Sequence, residues 1–198
     1  FKQQISVNYA NPFCFNYLCL QMKKTVTNIR HFSLAELEEY FEELGEKKFR
    51  AKQVYEWIWQ KHAMSFADMT NLSKDLRQKL GENFTLPSLS TDATQFSSDG
   101  TIKSRFKTHD GHLIEGVLIP TTSRFTACVS SQIGCSLSCK FCATGYIDRK
   151  RNLEFDEIYD QVALINQQSE KTKGKKLSNI VFMGMGEPLL NYKNVLKS

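Results

Sequence analysis

No run of about 18 apolar residues occurs in this chain of 198 residues, so no membrane-spanning helix is expected. No repeat with a period of roughly 20–50 residues is visible, which excludes solenoids and propellers, and no low-complexity tract interrupts the sequence. The opening segment, FKQQISVNYANPFCFNYLCLQ, has neither a basic leader nor a continuous apolar core, and so is no secretory signal peptide. Without that route, the cysteines are expected in a reducing cytoplasmic setting, where metal binding or catalysis outranks structural disulfides. No second CxxC pair and no H-x3-H accompanies the main cysteine cluster, which counts against a four-ligand structural zinc. No cysteine follows Cys142.

What is present fits a soluble globular protein: 41% hydrophobic and 24% charged residues. A net charge of +5 is compatible with nucleic acid without identifying it. Residue 1 is Phe, and Met22 opens a stretch that reads as a natural start, so residues 1–21 are expected to be a non-native extension. Cys14 and Cys19 fall there and read as passengers rather than a redox or metal pair.

The first part is helical in pattern. Ser33-Leu34-Ala35-Glu36 matches a capping box, and Leu34, Leu37, Phe41 and Leu44 share one face up to a stop at Gly45. A second helix is predicted over Arg50–Ala63, apolar on two sides: Val54, Trp57 and Ile58 on one, Tyr55 and Trp59 on the other. Its aromatic stripe reads as core rather than as a base-stacking platform. A third helix starts near Ser73, with Leu72, Leu76 and Leu80 in register, and Pro87 closes this part. Strands follow at Thr94–Ser97, Thr101–Thr108 and His112–Ile119, split by Asp99-Gly100 and Asp110-Gly111, a strong hairpin signal. Phe125–Ser130 reads as a strand that leads into the cysteines. A helix is predicted over Glu154–Gln167, then a basic flexible connection, Lys171–Lys176, then a buried strand, Asn179–Met183. That order is βαβ logic, with ligand loops at the carboxyl ends of parallel strands.

Cys135, Cys139 and Cys142 carry the chemistry, spaced C-x3-C-x2-C on a loop rich in small and hydroxylated residues. Three thiolates suit an iron–sulfur cluster with one iron left open to a substrate or cofactor, whereas a cluster closed by four cysteines usually only carries electrons. The strand ahead of Gly184-Met185-Gly186-Glu187-Pro188 places a second, glycine-rich turn one helix and one strand further on. Zinc and an ordinary strand-to-helix turn are the respective rival readings. Arg149-Lys150-Arg151 and Lys171–Lys176 suit RNA phosphates or a solvated face equally. His109 and His112 flank a turn without an assigned role.

The cysteine run, with Phe141 between its second and third cysteines, resembles the signature of the radical S-adenosylmethionine (SAM) superfamily. There, three cysteines hold a 4Fe-4S cluster whose fourth iron chelates SAM, and a Gly-Glu-Pro-like segment receives the SAM amino group. FRAKQVYEWIWQKHAMSFADMTNLSKDLRQKL, IEGVLIP, Cys128-Val129-Ser130-Ser131-Gln132-Ile133-Gly134-Cys135 and GMGEPLLN resemble, in order, the dual-specificity RNA adenine-C2 methyltransferase family. The resemblance implies an α/β fold: a helical N-terminal domain of RNA-binding type over 22–88, a β-hairpin connecting segment over 89–122, and the first part of a radical SAM partial (β/α) barrel over 123–198. It implies metal ligation by Cys135, Cys139 and Cys142, and SAM contacts at Gly186 and Glu187. It further implies crosslink resolution by Cys128 through a disulfide, and proton acceptance by Glu115. The implied partners are 23S rRNA, tRNA and an electron donor such as flavodoxin, for a monomer that is not membrane-bound. In that family, a methylated C-terminal cysteine loses a hydrogen to a SAM-derived radical and adds to adenine C2.

The match is incomplete at the end. The methyl-carrying cysteine has no counterpart here, and a barrel needs roughly 200 residues. The chain is therefore expected to be a truncated piece of a longer enzyme, unable to turn over alone. Three rivals stand beside this reading: an adenine-C8 methyltransferase of the antibiotic-resistance type, a structural metal- or RNA-binding module, and an inert truncated product.

Overall fold

A computed structural model describes residues 27–198. The expectations for residues 1–21, including Cys14 and Cys19, and for a start at Met22 lie outside the described residues. The fold has two hydrophobic cores that meet along one helix.

The first core is helical. In α1 (Leu34–Glu43), the Ser33 hydroxyl accepts from Glu36 N–H while the Glu36 carboxylate accepts from Ser33 N–H at 2.7 Å. This is the reciprocal cap read from the sequence, and it satisfies donors that the first turn leaves open. The helix stops where Gly45 N–H reaches Glu42 O. The next helix, α2 (Lys48–Trp59), starts two residues earlier and ends four residues earlier than its pattern suggested. Ser73 caps α3 (Lys74–Asn83) through Leu76 N–H. Leu37, Phe41, Val54, Ile58, Leu76 and Leu80 are buried together, each such side chain contributing about 1.5–3 kcal/mol. Two short parallel strands, β1 (Thr27–Asn28) and β2 (Phe84–Thr85), bring the ends of this unit together.

The second core lies under a five-stranded sheet. Its strands are β3 (Ser90–Phe96), β4 (Ile102–Lys107), β5 (Leu113–Pro120), β6 (Phe125–Cys128) and, last in sequence, β9 (Asn179–Val181), in the order β3-β4-β5-β6-β9. The first three pairings are antiparallel, the first two joined by the expected Asp-Gly turns, and β6 with β9 is parallel. Between β6 and β9 the chain makes a small antiparallel pair, β7 (Gln132–Ile133) with β8 (Arg151–Asn152), and then α4 (Phe155–Lys173). One sheet face, with Ile102, Phe106, Ile114, Leu118 and Ala127, packs on Ile158 and Ile165 of α4. The chain closes with α5 (Tyr192–Lys197).

Two sequence expectations are corrected. The helix predicted to end at Gln167 runs through Lys173, so half of the expected flexible basic connection is helical. Lysines in a last turn face the negative end of the helix dipole, and the Ser169 hydroxyl ties the exit by donating to Lys175 O. The strand expected to be buried, Asn179–Met183, is shorter and only half covered, with Ile180 44% and Met183 79% exposed. Its apolar run matched a buried strand, but it stands at the edge of the sheet with β6 as its one neighbour.

The two cores are joined across α4. Arg30 Nη1 donates to Asp160 Oδ1 at 2.8 Å, and Asn28 Nδ2 to Asp156 Oδ2 at 2.6 Å. Trp59 stacks on Phe155 at 5.9 Å, and the Tyr159 hydroxyl donates to Trp59 O. The second aromatic side of α2 is thus used for packing. No helix among the described residues is long and apolar enough to cross a membrane.

Candidate cofactor site

Because β6 and β9 are parallel, the segments that follow them emerge at the same end of the sheet. The first carries the three cysteines, and the second carries Gly184 to Pro188.

The cysteine loop is folded by its own backbone. Cys142 N–H donates to Cys139 O, Gly145 N–H to Cys142 O, and Cys135 N–H to Ile147 O. Gly145 is required by close approach: a Cβ there would stand 2.6 Å from Cys139 O. Cys135, Cys139 and Cys142 are all half-buried, and all three are free thiols, as is Cys128. Backbone N–H groups of Gly145 and Thr144 favour the charged form of Cys142 and hold its thiol below the usual range. The thiolate is the form that ligates metal. The donor set fits an iron–sulfur cluster: three soft sulfur ligands on one short loop, with Phe141 beside them almost fully exposed.

The second loop is laced to the segment between β6 and the cysteines. Ser130 and Gln132, both fully buried, do this work. The Ser130 hydroxyl accepts from Met185 N–H at 2.8 Å and donates to Glu115 O at 2.6 Å. Gln161 of α4 grips the Ser130 backbone from the other side, accepting its N–H at 2.8 Å and donating to its carbonyl at 3.0 Å. Asn191 Nδ2 donates to Ser131 O and Leu153 O. Sequence reasoning gave no role to these four residues. Ser130, Gln132 and Asn191 fall within motifs that carry the resemblance, but their hydrogen-bond partners are distant in sequence.

Glu187 is half-buried, and its carboxylate caps the following turn by accepting from Leu189 N–H at 3.1 Å. That uses one of roughly four lone-pair directions and leaves others able to receive an ammonium. Gly186 is its neighbour on the same loop.

Cys128 and Glu115 come onto one face of the sheet. Cys128 pairs with Val117, and side chains two apart on a strand share a face, so Glu115 points the same way. This face is opposite to the one covered by α4. Cys128 is buried, which pushes its thiol up. Glu115 is half-exposed and ion-paired with Lys103 Nζ at 2.8 Å. No hydrogen bond joins Glu115 to Cys128.

His109, Asp110 and Glu157 are the one set of three metal-capable side chains that lie within 4.8 Å of one another among the described residues. Arg151 already binds both carboxylates, at 2.7 Å to Asp110 and 2.6 Å to Glu157, so a guanidinium occupies the position between them.

Similarity to known proteins follows the same plan. Residues 27–86 match the family model described as "Ribosomal RNA large subunit methyltransferase N-terminal domain". A protein of Cytophaga hutchinsonii named "Probable dual-specificity RNA methyltransferase RlmN" is 58% identical over 186 residues, covering 91% of this chain and 51% of that protein. "Dual-specificity RNA methyltransferase RlmN" of Geotalea uraniireducens is 47% identical, over 85% of this chain and 48% of its own length. A solved structure, "Crystal Structure of a radical SAM methyltransferase from Sphaerobacter thermophilus", superposes with a TM-score of 0.76 at 39% identity, covering 86% of this chain and 50% of that one. The chain spans about half the length of the curated relatives it matches. The helical unit matches the family model and most of the chain aligns with these relatives, so the chain is similar to RNA methyltransferases of the RlmN type over about half their length.

Proposed function

We propose that this chain provides the helical unit, the iron–sulfur loop and the first SAM contacts of a methyltransferase that modifies adenine C2 in 23S rRNA and tRNAs. The observation that carries this reading is the sheet register. It puts Cys128 and Glu115 on one face of the sheet, and the cysteine loop and the Gly184–Pro188 loop at one end of the sheet. The names of the relatives support the substrate class.

Cys135, Cys139 and Cys142 would hold the 4Fe-4S cluster, and Gly186 with Glu187 would receive the ammonium of SAM. A carboxylate and close backbone carbonyls are the acceptors that an ammonium needs. When bound, these groups supply radical chemistry, able to activate a methyl group that no base could deprotonate. Adenine C2 is electron-poor and its hydrogen is not acidic, so a polar methyl donor does not serve there. Glu115 accepts the proton lost from C2. Cys128 resolves the protein–RNA crosslink by forming a disulfide with the methyl-carrying cysteine. Burial keeps the Cys128 thiol neutral, and so unreactive, before that step. An electron donor of flavodoxin type would feed the cluster.

Anaerobic reconstitution with iron and sulfide tests the site. Absorbance at about 400 nm, lost in Cys135→Ala, is expected. Stoichiometric zinc without iron uptake would instead favour a structural metal module. Regiochemistry is tested on RNA modified by a version of the relatives' full length that carries these residues: methyl at C2 is expected, and methyl at C8 would refute the assignment.

A further inference from the structure

Gln132 is fully buried, yet both ends of its side-chain amide reach outside its own strand. Oε1 accepts from Glu187 N–H at 3.0 Å, and Nε2 donates to Asn152 Oδ1 at 2.7 Å. Its backbone N–H donates to Met185 O. Asn152 is anchored in turn, receiving Arg149 Nη2 at 3.0 Å and donating to Leu190 O at 3.3 Å.

The contact with the second loop is also steric. Gly186 has φ +90°, and a Cβ on it would stand 2.4 Å from Gln132 Cβ. Gly186 therefore fits against Gln132 only because it has no side chain. One residue, in the segment that runs into Cys135, thus touches both Gly186 and Glu187. Packing alone does not call for an amide here: Leu fills nearly the same volume, and a buried amide is costly unless both its ends are satisfied. Both ends are satisfied, and one of them holds the backbone of the loop.

We propose that Gln132 is a positioning residue, a clasp that sets the Gly186–Glu187 backbone against the cysteine loop and so fixes the SAM acceptors relative to the iron site. This rests on the cofactor reading above. The residue does not itself touch the reacting atoms. It acts through Glu187 N–H and through contact with Gly186.

Hydrogen–deuterium exchange on the chain as it stands tests the clasp without iron or SAM. In Gln132→Leu, residues 183–190 are expected to exchange about tenfold faster, while peptides from residues 34–83 keep their rates. Gln132→Glu keeps an acceptor for Glu187 N–H and, as the neutral acid, a donor for Asn152 Oδ1, so it is expected to restore most of the protection when compared with the wild type at a pH in the carboxylate range. In the iron-loaded chain, equilibrium dialysis is expected to show SAM binding weakened about tenfold in Gln132→Leu at unchanged iron content. Equal exchange and equal SAM binding in the wild type and Gln132→Leu overturn the proposal. So does protection lost across residues 125–198 with no recovery in Gln132→Glu, since that pattern marks a purely structural role. A wild-type chain that takes up no iron or no SAM overturns the cofactor reading instead, and the exchange comparison still decides the clasp.

Discussion

Arg30 and Asp160 form an ion pair at 2.8 Å with both side chains almost out of solvent, and this pair pins the helical unit to α4. Asp160 also accepts from Leu89 N–H at the junction between the two cores. Burial raises the Asp160 carboxyl, and Arg30 only partly counters it. Removing Arg30 strands a buried carboxylate, so Arg30→Met is expected to cost about 3–5 kcal/mol in urea unfolding at neutral pH. The sign of the pH effect follows from the raised value: protonated Asp160 needs no partner, so its destabilisation grows as pH rises through the folded-state value. Arg30→Met should therefore regain stability as pH falls toward the carboxylate range. Arg30→Met with Asp160→Leu should be more stable at pH 7 than Arg30→Met alone. If both variants unfold at the same urea concentration, the pair does not pin the junction.

Ser130 links three elements through one hydroxyl and one peptide unit. Ser130→Ala leaves Met185 N–H without its acceptor and Glu115 O without its donor, both near the centre of the fold. The expected loss is about 1–3 kcal/mol, read from the denaturation midpoint at constant slope. A change below a few tenths of a kcal/mol would mean that the hydroxyl is replaceable.

Gly145 tests the shape of the cysteine loop. In Gly145→Ala, the new Cβ meets Cys139 O at 2.6 Å and Cys139 N at 3.0 Å, so the backbone carrying the central cysteine must shift. Iron uptake should fall several-fold, while global stability changes by less than about 1 kcal/mol, because the loop lies outside both cores. Full iron content in the variant would show that the loop tolerates the displacement.

Cys128 should be the slowest of the four described cysteines to react. Burial limits access and pushes the thiol up, which lowers the thiolate fraction at neutral pH. In the metal-free chain, iodoacetamide labelling mapped by mass spectrometry should mark Cys135, Cys139 and Cys142 first. Cys128 labelling should rise only at alkaline pH. Early labelling at Cys128 near pH 7 would contradict its buried, neutral state.

Much of the local structure is determined by the sequence alone. The Ser33–Glu36 cap, the Ser73 cap, the stop at Gly45 and both Asp-Gly hairpins rest on contacts within a few residues, where propensity and side-chain chemistry suffice. The spacing of Cys135, Cys139 and Cys142 likewise marks a candidate metal-binding loop before any fold is known. Patterns fail where a neighbour decides. Apolar Asn179–Met183 matches a buried strand, yet only the sheet order reveals that it is an edge. Lys171–Lys176 is polar enough for a loop, yet the helix is carried on by its dipole and by the Ser169 tie. Only the tertiary structure places Cys128 and Glu115 on one face, because that depends on register between strands. It alone gives Ser130, Gln132 and Gln161 a role, because each meets a partner some thirty or more residues away, or one brought close by parallel pairing. Hydrogen bonds over such separations are set by packing of the whole sheet and helix, and no local pattern encodes them.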